Sequence, residues 1–193
     1  EYNMKKLLKI SALTASILTI NSASAVPVFF PTTGHYYEYI STPLIWTAAR
    51  TAALSMSHLT LPGYLATVTT AAENTFLTTL VATSGTGWLG GSDMAVEGDW
   101  RWMDGPEAGT QFWLGGPTSA FASWGPSEPN NLGGEDFLEL SSGTWNDLPG
   151  TSRLGYFVEY SATTPLPDPI PVPATIALFG LGLLGLSALR NKR

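Results

Sequence analysis

Five side chains in this sequence suit one kind of chemistry, the holding of a hard cation. Glu128, Asn130 and Glu135 lie in one short stretch, and Asn146 and Asp147 lie in another, Trp145-Asn146-Asp147. All five offer oxygen, none offers sulfur or imidazole, and turn-forming residues surround them. Ca2+ takes six to eight oxygen ligands in the adaptable geometry that loops supply. Taken singly, Asn, Asp and Glu in loops are common turn residues; the pattern as a set points to a metal. A cation held here with coordination positions left open implies action by binding and not by catalysis.

Other constellations are weaker. Asp93, Glu97, Asp99, Asp104 and Glu107 form a second acidic stretch, read as solvated loop charges in preference to a second ion site. His35 and His58 lack paired ligand spacing and are expected to be structural. Ser, His and Asp occur without a nucleophile-elbow run, so no triad is indicated. The adjacent acids Glu135-Asp136 could suggest glycoside hydrolysis, but Glu135 already belongs to the cation pattern.

The elements that must position these residues are expected as follows. Gly34 to Ile40 is aromatic and roughly alternating, which predicts a strand. Trp46, Ala49, Ala53 and Met56 recur at helical spacing through the alanine-rich stretch 47–57. Pro62-Gly63 predicts a turn, followed by a short strand from Tyr64 to Val68. Thr70-Ala71-Ala72-Glu73 reads as a capping box opening a helix to about Ala82, with Phe76, Leu77 and Leu80 on its buried face. Beyond Thr83 short strands alternate with Gly, Pro, Asn and Ser: 87–91, 100–103, 111–113, 137–140, 144–148 and 155–160. Helices first and strands afterwards indicate an α+β domain. The stretch 115–134 has little periodicity, and a loop that long in a compact domain is usually functional or disordered.

Charge is unevenly spread. Between Val26 and Thr164 the only basic residues are Arg50, Arg101 and Arg153, against thirteen acids, a formal charge of −10. A lysine-free acidic domain excludes nucleic acid as the expected partner, because that binding runs on basic side chains. There is no cysteine, so packing replaces disulfides. Trp46, Trp88, Trp100, Trp102, Trp113, Trp124 and Trp145 all fall in this middle region and are expected in its core.

The order of motifs resembles that of the C-type lectin-like domain. It runs Trp88-Leu89-Gly90-Gly91, Trp100-Arg101-Trp102-Met103-Asp104-Gly105, Trp124-Gly125, Glu128-Pro129-Asn130, Gly134-Glu135-Asp136, Trp145-Asn146-Asp147 and Phe157-Val158-Glu159-Tyr160. The resemblance implies an α+β fold of two helices and small antiparallel sheets, with first and last strands paired. It also implies a long calcium-binding loop and a cis bond before Pro129. It assigns Ca2+ and ligand contacts to Glu128, Asn130, Glu135, Asn146 and Asp147, with Asp147 giving a side-chain and a backbone oxygen. Glu-Pro-Asn is the family pattern for mannose-type sugars with equatorial 3- and 4-hydroxyls, and the reversed Gln-Pro-Asp pattern goes with galactose. Phe137 and Val158 stand where the family usually has cysteine, and Phe137 is expected to fill that space by packing. The resemblance also leaves open a matrix or adhesion protein that uses the fold to bind protein.

The ends are of a different construction. Lys5, Lys6 and Lys9 precede an apolar run to Ile20, and Ala23-Ser24-Ala25 fits a cleavage pattern, so residues 1–25 read as a secretory signal peptide. Residues 26–162 form the expected domain. Alternating prolines between Pro165 and Pro173 make 163–173 an extended spacer. Residues 174–193 are an apolar, glycine-containing stretch with a basic end. Its apolar part, as a helix, reaches about 24 Å, near the roughly 30 Å of a bilayer core. This tail resembles the PEP-CTERM sorting signal of Gram-negative bacteria, with Val172 where that pattern usually has Glu. The resemblance implies an exosortase as processing partner, transient or permanent membrane contact, and delivery to the cell surface, outer membrane or matrix. A plain membrane anchor is the alternative.

Overall fold

The computed structural model describes residues 26–81 and 85–162. The expected signal peptide, the spacer and the C-terminal apolar helix lie outside the described residues. Among the described residues no helix is long and apolar enough to cross a membrane.

The elements are β1 (Val28–Phe30), β2 (His35–Leu44), α1 (Trp46–Leu54), β3 (Ser57–His58), β4 (Leu61–Leu65), α2 (Ala71–Thr79), β5 (Thr86–Ser92), β6 (Asp99–Trp102), β7 (Gln111–Leu114), β8 (Phe137–Ser141), β9 (Thr144–Leu148) and β10 (Leu154–Tyr160). The main strand order is β1-β2-β10-β5-β6-β7, with β4 also on β10 and the β8–β9 hairpin on β5. The last strand β10 therefore pairs with β2, and β1 is a short hairpin arm ahead of it. The α+β assignment holds, but the sheet is mixed: β5 and β10 run parallel through Gly87↔Gly155 and Trp88↔Tyr156. These strands are joined by a long excursion through β6 to β9, so no tight hairpin forces them antiparallel.

Helix α1 buries Trp46, Ala49 and Ala53 and ends at Leu54, before Met56, whose amide bonds Ala53 O. Pro62-Gly63 is not the turn. The turn falls at Leu59-Thr60, both at positive φ, and Pro62-Gly63 lies in β4. Gly63 is needed there for close approach, since a Cβ would meet Ala53 O at 2.8 Å and Tyr160 Cε1 at 2.9 Å. At the start of α2, Thr70 Oγ1 accepts from Glu73 N at 3.2 Å as the capping pattern requires. The Glu73 carboxylate reaches a different partner from the expected one. It takes Thr69 N at 2.7 Å and the Tyr37 hydroxyl at 2.6 Å, because the helix end packs against β2.

Five tryptophans, Trp46, Trp88, Trp100, Trp102 and Trp145, are almost wholly buried. Their indole N–H groups are matched to acceptors where it matters for placement: Trp46 to Leu89 O, Trp88 to Leu44 O and Trp145 to Asn74 Oδ1, each at 2.8 Å. Trp113 and Trp124 are half-buried against the cluster that holds Trp100, Trp102 and Trp145. Phe137 stacks on Trp46 with centroids 4.7 Å apart, and Phe137 and Val158 share one apolar cluster, so packing does fill that space.

Candidate functional site

The site is built where the long loop 115–136 folds back on β9. Trp145 N donates to Ser123 O at 2.7 Å, and Gly125 N donates to Trp145 O at 2.8 Å, so the loop runs alongside the strand that carries Asn146 and Asp147. From the other side, Asn74 of α2 donates to Gly143 O at 2.7 Å while accepting from Trp145, which pins the β8–β9 hairpin. Nothing local in the sequence marks Asn74; its role comes from the packing of α2 on that hairpin. The Glu128–Pro129 bond is cis.

Asp147 is the buried hub. Its Oδ1 accepts from Asn130 N at 3.2 Å and its Oδ2 from Asn131 N at 2.8 Å. Asn130 donates through Nδ2 to Glu128 Oε2 at 2.6 Å and accepts through Oδ1 from Leu132 N at 2.8 Å. Glu135 Oε2 accepts from the same Leu132 N at 3.0 Å, and Glu135 N donates to Asn131 Oδ1 at 2.8 Å. Asn146 Nδ2 donates to Asp147 O at 2.8 Å and to Glu139 Oε2 at 3.2 Å. All five expected residues thus join one connected network. Glu139, which no local motif marks, belongs to it, and only the β8–β9 register brings it in.

The electrostatics are one-sided. Burial and then the adjoining Asp147 carboxylate push the Glu128 carboxyl above its ordinary range, against the lowering effect of the Asn130 bond. Burial raises the Glu135 carboxyl too, with Asp147 adding to it and the Leu132 amide opposing. Among the described residues no Lys, Arg or His forms an ion pair with these carboxylates. As placed, the described residues gather no group of three His, Asp or Glu around a single point. The oxygens bond to neighbouring N–H groups instead. The donor set is nevertheless one that fits a hard cation: adjacent carboxylates without a counter-charge, carboxamides, and a backbone carbonyl.

The second acidic stretch is not a solvated run. Asp104 pairs with Arg50 at 2.6 and 2.8 Å, Asp99 with Arg101 at 2.9 Å, and Glu107 accepts from Thr67 at 3.0 Å. Only Glu97 of the five is well exposed. Asp93 is buried, with Oδ2 on Gly98 N at 2.8 Å and Oδ1 without a partner. Burial first, then Glu97 and Asp136, push its carboxyl up to about 6. His35 bonds Glu159 at 2.5 Å and His58 packs edge-on to Tyr36, so both are structural as expected.

Similarity to known proteins agrees with this construction. Residues 53–158 match the family model of the lectin C-type domain, and residues 169–193 match the PEP-CTERM protein-sorting motif. The chain is 40% identical over 139 residues to halomucin of Haloquadratum walsbyi, covering 69% of this chain and 2% of that protein. It is 33% identical over 122 residues to human C-type lectin domain family 17, member A, covering 62% of this chain and 28% of the relative. It therefore spans only a small part of the length of either. Among solved structures, the carbohydrate-recognition domain of cow CD23 aligns at TM-score 0.55 and 28% identity, covering 72% of this chain and 95% of that one. The lectin CEL-I of Cucumaria echinata aligns at TM-score 0.53 and 25% identity, covering 66% and 90%. By its motifs, its fold and the family match, the chain belongs to the C-type lectin domain family.

Proposed function

We propose that the protein is a calcium-dependent carbohydrate-binding protein of mannose-type preference, exported to a bacterial surface or matrix, and not an enzyme. The observation that carries this reading is the Glu128–Asn130–Asp147–Glu135 network, in which carboxylates crowd together without a cationic partner. Glu128, Asn130, Glu135, Asn146 and Asp147 would hold the ion. Bound Ca2+ would supply positive charge and open positions for two vicinal sugar hydroxyls. The chain's own part is hydrogen bonding. Glu128 Oε2 accepts and Asn130 Nδ2 donates, and they now satisfy each other at 2.6 Å. A sugar hydroxyl, being both donor and acceptor, can take both bonds at once. The structure of the cow CD23 domain was determined in the presence of a GlcNAc2Man3 oligosaccharide, which supports a sugar of this class. The PEP-CTERM match supports export and an exosortase-type partner for the tail. Asp93, with its unpartnered buried oxygen beside Glu97 and Asp136, supports a second ion close by.

Calorimetry with Ca2+ alone and then with mannose tests the reading directly. The expected result is ion binding, followed by weak mannose binding that vanishes in EDTA. Two ions per chain would uphold the Asp93 position, and one would remove it. On mannan beads, retention should be abolished by chelator and by the double change Glu128→Gln/Asn130→Asp, which should shift preference toward galactose. Retention unaffected by EDTA would overturn the calcium reading and favour a matrix protein that binds protein through the same fold. The structural likeness to a calcium-independent type II antifreeze protein, at 21% identity and TM-score 0.56, shows the fold alone.

A further inference from the structure

We infer that Glu139 is the positioning residue that decides which end of the Asn146 amide faces the candidate ion site; this rests on the cation-binding reading above. The antiparallel register of β8 and β9 sets Glu139 directly opposite Asn146. Opposed residues of two strands share a face and lie in contact distance. Glu139 is a buried carboxylate in a strand whose other buried members, Phe137, Leu138 and Leu140, are apolar. Burying a charge without partners is costly, so its hydrogen bonds matter. One oxygen, Oε1, takes the Thr86 hydroxyl, and the other, Oε2, takes Asn146 Nδ2 at 3.2 Å. The remaining proton on Nδ2 is directed to Asp147 O at 2.8 Å.

A carboxamide has two ends of nearly equal size and opposite hydrogen-bonding sense. Here both neighbours of the NH2 end, Glu139 Oε2 and Asp147 O, accept a hydrogen bond from it. Turning the amide over would set its oxygen against a carboxylate and a carbonyl. Glu139 therefore fixes Nδ2 inward and leaves Asn146 Oδ1 as the end presented away from it. That is the end a cation requires. Partners behind a metal ligand act in this way, by fixing ligand orientation, and losing one typically costs about 10–100-fold in affinity.

The test is a double-substitution cycle on the full-length chain, read as Ca2+ affinity by calorimetry. Glu139→Gln is expected to weaken Ca2+ binding about tenfold, because the new amide can donate to Asn146 Oδ1 and let it turn over. Asn146→Asp gives that side chain two oxygen ends, one of which must meet the Glu139 carboxylate. In that background Glu139→Gln relieves repulsion between two acids, leaves an oxygen facing the site either way, and should strengthen Ca2+ binding. A loss of affinity on Glu139→Gln in both backgrounds overturns the inference. A second readout needs no ion. In chelator, the Asn146 side-chain amide protons should exchange slowly with solvent in the unaltered chain and faster in Glu139→Gln. Fast exchange in the unaltered chain overturns the orientation even if calcium binds. If the unaltered chain binds no calcium, the functional reading falls, while slow exchange still upholds the hydrogen-bonded orientation.

Discussion

Glu128 and Asn130 sit two residues apart and face each other as acceptor and donor. If the proposed sugar site is correct, that pairing would tie ligand preference to side-chain chemistry, and exchanging acid and amide along the loop should recast the sugar. A second residue-level consequence concerns His35. Burial alone lowers its imidazole, but the bond to Glu159 and the fields of Glu159, Glu107 and Glu73 outweigh it and hold it above 6.5. A group whose folded pKa is raised stabilises the fold fully below its unfolded value, and that contribution drains away as pH rises through the folded value. Glu73 and Glu107, pushed up by burial and by Glu159, act in the same sense, since folding gains as they take up protons. In calcium-free buffer the urea midpoint should therefore be higher at about pH 6 than at about pH 8. His35→Asn should flatten that dependence. A midpoint that rises with pH over this interval would contradict the sign.

Strand β8 carries two duties. Its Glu139 faces Asn146, while its first residue, Phe137, stacks on Trp46 of α1. No disulfide ties the strand down, so the Phe137–Trp46 contact fastens the point where the long loop re-enters the sheet. Phe137→Ala should cost about 3–5 kcal/mol, measured by urea unfolding, with calcium affinity reduced in parallel if the loop loosens. A loss well under 1 kcal/mol would mean that the site collapses readily and that the stack is not the fastening. Helix α2 contributes by a separate route, through Asn74, which bonds both Trp145 and Gly143 at the hairpin. The candidate site thus stands on three elements, and the loop completes it.

Taken whole, the domain is a tightly packed aromatic body with a long loop tied to β9 by hydrogen bonds and exposed at its tip. Asn131, Leu132, Gly133 and Gly134 are exposed, and three of the four have positive φ. Carboxylate repulsion in the loop is uncompensated without an ion, whereas the tryptophan core owes nothing to it. Limited proteolysis followed by mass spectrometry should show cleavage within 115–134 that is fast in EDTA and slow in Ca2+, with the rest of the domain intact in both. Equal rates would show that no ion orders this loop. The formal charge of −10 between residues 26 and 164 favours solubility and disfavours nucleic acid as a partner. On the proposed reading, a site of two hydroxyl contacts would bind a monosaccharide weakly, and display of many copies on a surface would raise avidity.

The sequence by itself determined the α+β class, the main run of helices and then strands, and the five candidate site residues that the structure brings into one network. Helical spacing in α1, the Thr70 cap of α2 and the punctuated strands after Thr83 are short-range signals, written in neighbouring residues. The pattern Glu128-Pro129-Asn130 with Trp145-Asn146-Asp147 was legible for the same reason. What only the tertiary structure decided depends on residues far apart in the chain meeting. The parallel β5–β10 pair, the strand through Pro62-Gly63, the burial of Asp93 and, separately, the bidentate Arg50–Asp104 pair are of this kind. So is the place of Glu139 behind Asn146. A carboxylate's partner is set by which backbone amide or guanidinium packing brings to it, and no local pattern encodes that.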